Sequence, residues 1–253
     1  MPRDPESCRD FPPGQPSPAA RPTPIHLVNP DTLEFAYSGQ ELDALAEARN
    51  YYGWISDAFA PYLGTRVLEV GAGIGTFTEH LLARAPAARI TAVEPAANNF
   101  PHLARRFERD ARVTPRQGYL DTSTPASSVD SVVAVNVMEH VQDDAGFLAA
   151  ATRALVPGGH VLLFVPALPA LFGSMDRAFE HYRRYTRGEL RERLRGAGLN
   201  VVTLKYVNLP GVAAWWLTGK VLRRTTVTAR QAAFYDRWVI PWVRALESRV
   251  SCR

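Results

Sequence analysis

Residues 66–82 read RVLEVGAGIGTFTEHLL, and this stretch decides the fold. Val67, Leu68 and Val70 give an apolar run of the length of a buried strand. Glycines follow at positions 71, 73 and 75, and a helical pattern begins directly after them. Such a turn between a strand and a helix N-terminus brings bare backbone N–H groups close to a ligand. The stretch therefore predicts a nucleotide-like ligand, with the carboxylate of Glu69 beside it.

Strand and helix patterns alternate after the glycine turn. Apolar runs predict strands at residues 90–94, 112–116, 129–137, 160–165 and 199–207. Helical patterns lie at residues 98–110, 143–155 and 186–196, with Asp143 or Asp144 and then Thr186 as N-caps. Glu189 completes a capping box with Thr186. This alternation indicates an α/β fold with a doubly wound, mostly parallel sheet.

The chain divides into three predicted parts. Residues 1–30 contain nine prolines and are expected to form a disordered leader. Residues 31–208 form the predicted ligand-binding domain, which contains a helix at residues 41–59 and an insertion at residues 166–186 rich in aromatic and basic side chains. Residues 209–253 form a helical, tryptophan-rich tail, which we interpret as a lid, a homodimer face or a surface contact.

Composition excludes several classes of protein. The net charge of +4 is mild, and the arginines are scattered, so we expect no nucleic-acid partner. Cys8 and Cys252 lie outside any motif, which gives no support for a disulfide framework, and no metal site is predicted. We find no apolar run of membrane-spanning length and no signal pattern, and we expect a cytoplasmic protein.

Two carboxylates narrow the choice of ligand. The triplet Gly71-Ala72-Gly73-Ile74-Gly75 is one residue tighter than the dinucleotide fingerprint. Glu94 ends the second predicted strand, where a carboxylate can accept both ribose hydroxyls, although NAD-binding folds share this feature. Glu69 would repel a pyrophosphate but would attract an ammonium or a sulfonium group.

Four motifs, VLEVGAGIG, AVEP, DSVVAVNVMEHV and LVPGGHVLLFVP, occur in this order. With them the chain resembles the class I S-adenosylmethionine-dependent methyltransferases, and most of all the group that acts on small molecules. The resemblance implies that Gly71 and Gly73 lie against the methionine part of the cofactor, with Glu69 near its amino group. It also implies ribose binding by Glu94 and contacts from the following cofactor-site residues: Tyr52, Pro95, Gly118, Tyr119 and Leu120 (the last three around the adenine) and Asn136 (under the sulfonium).

The acceptor side of the site is predicted from other segments. A base is needed if the acceptor starts protonated, and His140 and His181 are the candidates for this catalytic role. The insertion resembles the acceptor-binding elements of the same family. We expect the substrate to contact Tyr51, His181, Tyr182, Arg184 and Tyr185, which suits an aromatic or anionic acceptor. Equally, these arginines could tie the insertion to the domain through ion pairs.

Several functional interpretations stay open. The first is methyl transfer to a small molecule of specialised metabolism, and the alternative is methyl transfer to a lipid-linked or cell-envelope glycan at a membrane surface. Two further interpretations are weaker. One is an inactive module with the same fold, and the other is an NAD-dependent oxidoreductase. The acceptor atom can be O, N or C. The family's sheet closes with an antiparallel seventh strand, and we find no such strand after residue 207, so the sheet lacks it, the sequence is cut short, or a partner supplies it.

Overall fold

A sheet of five parallel strands forms the centre of the computed structural model, which describes residues 36–37, 48–121 and 124–250. The strands are β1 (Arg66–Val70), β2 (Arg89–Glu94), β3 (Val113–Gln117), β4 (Val129–Val135) and β5 (Leu155–Phe164). They lie in the order β3-β2-β1-β4-β5. The order reverses between β1 and β4, which is where open parallel sheets bind ligands. The predicted doubly wound α/β fold is confirmed.

Helices cover both faces of the sheet. They are α1 (Arg49–Phe59), α2 (Thr76–Arg84), α3 (Phe100–Arg106), α4 (Asp144–Ala154), α5 (Ser174–Ala178), α6 (Arg187–Gly196), α7 (Leu209–Trp215), α8 (Ala229–Trp238) and α9 (Ile240–Val250). Leu81 and Leu103 are completely buried on one face, and Leu148 is completely buried on the other. Because both faces are covered, β4 is apolar at almost every position.

Two helix starts are fixed by the side chains that the sequence indicated. The Asp143 side chain accepts a hydrogen bond from the N–H of Gly146 at 2.9 Å, so Asp143 is the N-cap of α4. Thr186 and Glu189 form the predicted capping box at the start of α6. These caps satisfy backbone N–H groups that a helix start leaves without intrahelical partners.

Three predicted elements differ from the structure by more than one residue at an end. The helix predicted at residues 98–110 is shorter in the structure, where α3 covers Phe100–Arg106. β4 ends at Val135 instead of residue 137, because Asn136 has a left-handed φ of 52° that a strand cannot continue through. β5 begins at Leu155 and bulges through Pro157-Gly158-Gly159, since its pairing with β4 jumps from Leu155 to His160.

The strand predicted at residues 199–207 is wrong. This segment has no strand conformation, and in the described part of the chain β5 forms its ladder with β4 alone. A strand exists only where a neighbour completes its hydrogen bonds. Leu204 packs on the core, which explains the apolar pattern, while Val202 is 67% exposed. The segment therefore lies against the domain without joining the sheet.

The C-terminal segment is helical, as predicted. Between α7 and α8 a π-helical turn covers Trp216–Val221. Within residues 209–250 all helices and turns of helix run without an intervening strand, and none of the helices described has the length and hydropathy needed to cross a bilayer. The leader at residues 1–30 and the start of the helix predicted at residues 41–59 lie outside the described residues.

Candidate active site

A cavity of about 740 Å³ opens at the carboxyl ends of β1, β2, β4 and β5. Gly71, Gly73 and Glu94 line one side of it, and Asn136 lies in its floor at the end of β4. The insertion, α1 and the C-terminal helices form the remaining walls. Cofactor-side residues and acceptor-side residues predicted from separate segments therefore meet in one space.

The glycine loop requires glycine at position 71. Gly71 has a φ of +70°, and a Cβ atom placed there would lie 2.5 Å from Cγ2 of Val137. Its N–H donates to the carbonyl of Val93 at 2.8 Å, which holds the loop against the end of β2. A side chain at this position would clash with the loop after β4 and would strain the backbone.

Glu94 anchors the same loop from the neighbouring strand. Its carboxylate accepts hydrogen bonds from the backbone N–H of Gly73 at 2.8 Å and of Ala96 at 3.0 Å. Burial raises the pKa of Glu94, while these two hydrogen bonds act in the opposite direction. The side chain lines the cavity with a fixed orientation, as a ribose-binding carboxylate must.

Glu69 is buried beneath the loop and not in the cavity wall. Its side chain accepts a hydrogen bond from the hydroxyl of Thr78 at 2.6 Å. Its pKa is raised to about 8, mainly by burial and to a smaller extent by the charge of Glu94, while the hydrogen bond from Thr78 acts in the opposite direction. Binding of an ammonium group nearby would therefore couple to loss of a proton from Glu69.

The remaining predicted cofactor residues divide into two groups. Tyr52, Pro95 and Asn136 line the cavity. Gly118, Tyr119 and Leu120 follow β3, and the Gly118 N–H donates to the Glu94 carbonyl at 3.1 Å, but these three residues stand beside the cavity and not in its wall. The adenine contact implied for them stays a prediction.

Helix α1 is held over the cavity by the C-terminal segment. The buried carboxylate of Asp236 accepts hydrogen bonds from the backbone N–H groups of Tyr51 at 2.8 Å and Asn50 at 3.1 Å. The rings of Tyr51 and Phe164 pack edge to face with their centres 5.7 Å apart, and burial raises the pKa of the Tyr51 hydroxyl above its ordinary value. Tyr51 and Tyr52 thus lie where α1, the sheet and the tail meet.

The insertion is organised around one buried carboxylate, that of Asp176. It accepts hydrogen bonds from Nε of Arg184 at 2.6 Å, from Nδ1 of His181 at 3.0 Å, and from the backbone N–H of Gly173 at 2.9 Å. Burial acts to raise the pKa of Asp176, but the hydrogen bonds from His181 and Arg184 outweigh it and hold this pKa low. Arg184 also lies 4.6 Å from the centre of the Trp215 ring, which joins the insertion to the tail.

The predicted substrate-binding residues all line the cavity, but their polar groups differ in what they contact. The guanidinium of Arg184 is paired with Asp176, and the hydroxyl of Tyr185 donates to Asp144 at 3.1 Å. Tyr182 is 56% exposed at the rim. The ion-pair interpretation therefore describes Arg184, while Tyr51, His181 and Tyr182 remain the better candidates for acceptor contact.

His140 and His181 lie against each other in the cavity wall. Their ring centres are 4.7 Å apart, edge to face. Burial lowers the pKa of His140 to about 4, with a further contribution from His181, and a ring N–H of His140 donates to the backbone carbonyl of Glu180. The carboxylate of Glu139 completes a group whose donor atoms all lie within 4.8 Å of one another, so these three residues could hold a metal ion.

Several residues in the cavity wall are not among the site residues predicted from the sequence. They are Tyr37, Asn99, Phe164, Trp215, Tyr235 and Asp236. The tail's tryptophans indicated that it could act as a lid, but nothing in their spacing assigned Trp215 or Asp236 to this cavity. The sequence did not predict these residues because they come from parts of the chain that meet only after folding.

The parallel sheet, with a cavity at the carboxyl ends of its strands, is the arrangement of a class I methyltransferase domain. The comparisons with known proteins identify the family. The family described as a methyltransferase domain matches residues 29–204, and the chain belongs to it. It is a member of the class I S-adenosylmethionine-dependent methyltransferases, and S-adenosylmethionine is its cofactor. Gly71, Gly73 and Glu94 fit this group, because a bare loop and a fixed carboxylate face the space that it would occupy.

Several curated relatives are named as ubiquinone biosynthesis O-methyltransferases. A ubiquinone biosynthesis O-methyltransferase of Methylocella silvestris is 34% identical over 151 residues, which are 57% of this chain and 54% of the relative. The enzyme of that name from Paracidovorax citrulli is 29% identical over 198 residues, covering 71% and 73%. The chain thus spans about half of the first relative and about three quarters of the second.

Among solved structures, the [4+2]-cyclase SpnF shares the fold. It has a TM-score of 0.54 and 18% sequence identity, and the match covers 79% of this chain and 90% of the cyclase. A cyclase on this scaffold shows that the fold alone does not define the reaction.

Proposed function

We propose that this protein transfers the methyl group of S-adenosylmethionine to a hydroxyl of a small, largely apolar acceptor. The observation that carries the proposal is the single cavity in which the glycine loop and Glu94 face His140, His181 and Tyr182. The names of the relatives, which are O-methyltransferases, support oxygen as the acceptor atom. Leu163, Leu168 and other apolar side chains in the wall suit an apolar acceptor.

Methyl transfer from a sulfonium is an in-line displacement in which the cofactor supplies its own leaving group. Alignment of the two reactants can account for about 7–11 kcal/mol of the barrier. Asn136 lies in the cavity floor at the end of β4, under the proposed position of the sulfonium, and its N–H donates to the Phe164 carbonyl at 2.8 Å. The strand ends thereby fix one reactant, and the insertion positions the other.

An acceptor hydroxyl must also lose its proton, because a neutral hydroxyl is a poor nucleophile. His140 and His181 are the two groups of the acceptor side whose chemistry suits this task, and we propose them for it. Asp176 orients the His181 ring through Nδ1. The Glu180 carbonyl orients the His140 ring in the same way.

A direct experiment tests the proposal in two parts. S-adenosylhomocysteine should stabilise the protein against heat, since a ligand of the native state at a hundred times its Kd adds about 2.7 kcal/mol. Transfer of labelled methyl groups to a panel of phenolic and aromatic hydroxyl compounds then tests catalysis. Stabilisation without transfer to oxygen, nitrogen or carbon acceptors would support an inactive or cyclase-like member, whereas no stabilisation would overturn cofactor binding.

The acceptor is proposed to be either a free specialised metabolite or a lipid-linked compound, and the tail supports the second. Among the residues that the structure describes, nine of the twelve large hydrophobic side chains that are most exposed lie in the tail: Leu209, Trp216, Leu217, Val221, Leu222, Phe234, Trp238, Trp242 and Leu246. Cationic residues lie between them at positions 220, 223, 224, 230 and 237. The carboxylates of the described tail, Asp236 and Glu247, bind backbone N–H groups of α1 and α7.

Exposed tryptophans among arginines are typical of a surface that lies on an anionic bilayer. The same segment lines the cavity through Trp215, Thr218 and Tyr235, so an acceptor held in a membrane would enter from that side. The relatives' role in ubiquinone biosynthesis, as their names give it, is consistent with a lipophilic acceptor.

Sedimentation with phosphatidylglycerol vesicles distinguishes the two acceptor classes. The wild-type protein should sediment with the vesicles, and the double variant Trp238→Ala/Trp242→Ala should stay in the supernatant. Val202→Ser, which changes an exposed apolar residue outside the tail, is the matched control and should bind vesicles normally. If the wild-type protein stays in solution and is monomeric by light scattering, the free metabolite is favoured. A dimer that the double variant abolishes would assign the tail to a second copy.

A further inference from the structure

The arginine and lysine side chains that line the cavity differ in what they pair with. They are Arg184, Arg187, Lys205 and Arg224. Arg184 is bound to the buried carboxylate of Asp176. Among the residues that the structure describes, no carboxylate forms an ion pair with the other three. The anionic acceptor that the sequence suggested for Arg184 must therefore be bound, if it is bound at all, by these other cations.

Arg187 is held in place by an aromatic ring that also lines the cavity. Its guanidinium carbon lies 5.6 Å from the centre of the Tyr206 ring, and its backbone N–H donates to the Tyr206 hydroxyl oxygen at 3.1 Å. A guanidinium that is already held over a ring loses less freedom when its N–H groups bind a carboxylate or a phosphate. The Tyr206 hydroxyl accepts from Arg187 and can still donate its own proton to the same anion. These two residues therefore offer hydrogen-bond donors that are positioned before a ligand arrives.

Lys205 adds a second positive charge beside this pair. It directly precedes Tyr206 in the chain and lines the same cavity. The carboxylate nearest to Arg187 along the chain is that of Glu189, but it accepts hydrogen bonds from the backbone N–H of Thr186 at 2.9 Å and from the Thr186 hydroxyl at 2.8 Å. Because Glu189 serves the helix cap, this part of the wall keeps an excess of positive charge.

Apolar side chains of the same two segments line the cavity as well. Leu190 lies one turn after Arg187 on α6 and is buried, and Leu204 precedes Lys205 and packs on the core. A free inorganic anion would leave these side chains in contact with water. A ligand that fills this part of the cavity should therefore combine an apolar body with an oxyanion.

We infer that Arg187, Lys205 and Tyr206 form an anion subsite, which binds a carboxylate or phosphate group of the acceptor while the acceptor's apolar body lies along Leu190 and Leu204. This inference rests on the proposed function and deepens it, because it names an acidic group as a feature by which the acceptor is selected. A free aromatic acid and a lipid phosphate share this chemistry. Since Arg187 and Lys205 are exposed, salt in solution should screen their attraction for the anion.

Two dyes of the same shape test the subsite before the acceptor is known. Anilinonaphthalene sulfonate combines an apolar aromatic body with an oxyanion, and phenylnaphthylamine is the same molecule without the sulfonate. In the presence of saturating S-adenosylhomocysteine, fluorescence titration of the full chain should show that the sulfonate dye binds at least about tenfold more tightly than the neutral dye. Sodium chloride should reduce this difference by weakening the binding of the sulfonate dye alone.

Variants assign the anion to the subsite. Arg187→Gln and Lys205→Gln should each bind the sulfonate dye at least about fivefold more weakly and should bind the neutral dye as the wild type does. Arg237→Gln is the matched control, because Arg237 is also an exposed arginine over an aromatic ring, 5.4 Å from the centre of the Trp238 ring, but does not line the cavity. It should bind both dyes with wild-type affinity.

Displacement of the bound sulfonate dye distinguishes the two sources of the anion. The probes are para-hydroxyphenylacetate, a soluble aromatic acid, and dihexanoyl phosphatidic acid, a lipid phosphate that is soluble as a monomer. The probe that displaces the dye at the lower concentration identifies the source, and displacement by neither at millimolar concentrations overturns the inference.

The remaining outcomes separate this inference from the proposed function. Binding of S-adenosylhomocysteine shows that the variants are folded. Equal affinity of the wild type for the two dyes, unchanged affinity for the sulfonate dye in both subsite variants, or an equal loss in Arg237→Gln would each overturn the subsite. None of these measurements depends on methyl transfer, so loss of the subsite would leave the proposed function standing, and a lack of transfer would leave the anion binding standing.

Discussion

Asp236 accepts a hydrogen bond from the backbone N–H of Tyr51 at 2.8 Å, although 185 positions separate them in the chain. A second carboxylate oxygen serves Asn50 through both its backbone N–H and its side-chain amide. The N-terminal end of α1 leaves N–H groups that need acceptors, and here an acceptor comes from the tail. The tail thereby helps to form the candidate active site by holding α1 over the cavity.

Replacing Asp236 by alanine should destabilise the protein and weaken the cofactor site together. The partly buried N–H groups of α1 would lose a charged acceptor, which costs about 1–3 kcal/mol of unfolding free energy. Urea unfolding measures this loss, and calorimetry measures the accompanying fall in affinity for S-adenosylhomocysteine. Arg230→Ala, at an exposed position of the same helix, is the control and should leave both quantities unchanged. Unaltered stability of the Asp236 variant would contradict the role given to this carboxylate.

Replacing Glu94 should weaken binding of the cofactor product. Glu94→Ala removes the acceptor of the Gly73 N–H and the proposed ribose ligand, and Glu94→Gln keeps the shape but loses the negative charge. Hydrogen bonds to a charged group contribute about 1.5–3 kcal/mol, so S-adenosylhomocysteine should bind both variants at least about tenfold more weakly. Glu108→Ala removes an exposed carboxylate and serves as the control in calorimetric titrations. Wild-type affinity in Glu94→Ala would remove this residue from the cofactor site.

The parts of the fold that depend on local pattern could be predicted from the sequence. The strand and glycine turn at residues 66–75, the cap at Asp143 and the box at Thr186 each depend on neighbours in the chain, and each is confirmed. The strand predicted at residues 199–207 had the right apolar pattern, yet a strand also needs an edge to pair with. An apolar sequence pattern indicates that a segment is buried, but a buried segment forms a strand only if it hydrogen-bonds to a neighbouring strand.

Long-range polar contacts explain what the sequence left open in the site. Arg184 looked equally suited to a substrate and to an ion pair, and only the position of Asp176 beneath it shows which group it contacts. Asp236 and Trp215 had no motif, because they reach the cavity only when the tail folds back on the domain. Glu139 and His140 were adjacent in the sequence, but their third neighbour, His181, comes from another segment.

The proton of Glu69 should make stability depend on pH. Its pKa is about 8 in the folded protein and 4.5 ordinarily, so the folded state binds more protons than the unfolded state between these values. The stabilising contribution is complete below pH 4.5 and is lost as the pH rises toward 8, with a slope of at most about 1.4 kcal/mol per pH unit. Chemical denaturation of the ligand-free protein across this range measures the slope.

Glu69→Gln should flatten that part of the pH dependence, since an amide carries no titrating proton. Glu79→Gln, on the exposed face of α2, is the matched control and should keep the wild-type slope. In the wild type, binding of S-adenosylhomocysteine near neutral pH should release protons, which calorimetry in buffers of different ionisation enthalpy detects. Equal slopes for wild type and Glu69→Gln would show that this carboxyl does not titrate in the range.

Adding one methyl group to the glycine loop should disrupt the site at its centre. In Gly71→Ala the new Cβ would lie 2.5 Å from Cγ2 of Val137, and alanine would have to adopt a φ of +70°. The left-handed conformation alone costs an L-residue about 1–2 kcal/mol, and the overlap with Val137 adds to this cost. We expect a lower melting temperature and at least tenfold weaker binding of S-adenosylhomocysteine, in keeping with the ~1.4 kcal/mol that a tenfold change requires.

Gly196→Ala provides the control for the same chemical change in another setting. A Cβ atom at Gly196, the last residue of α6, meets no atom within 4 Å, and the position has no left-handed φ. Alanine there should be neutral or stabilising by up to about 1 kcal/mol, because it reduces the freedom of the unfolded chain. Thermal unfolding and calorimetry compare both variants with the wild type. If Gly71→Ala behaved like Gly196→Ala in both measurements, the close approach of Val137 to the loop would not constrain the cofactor site.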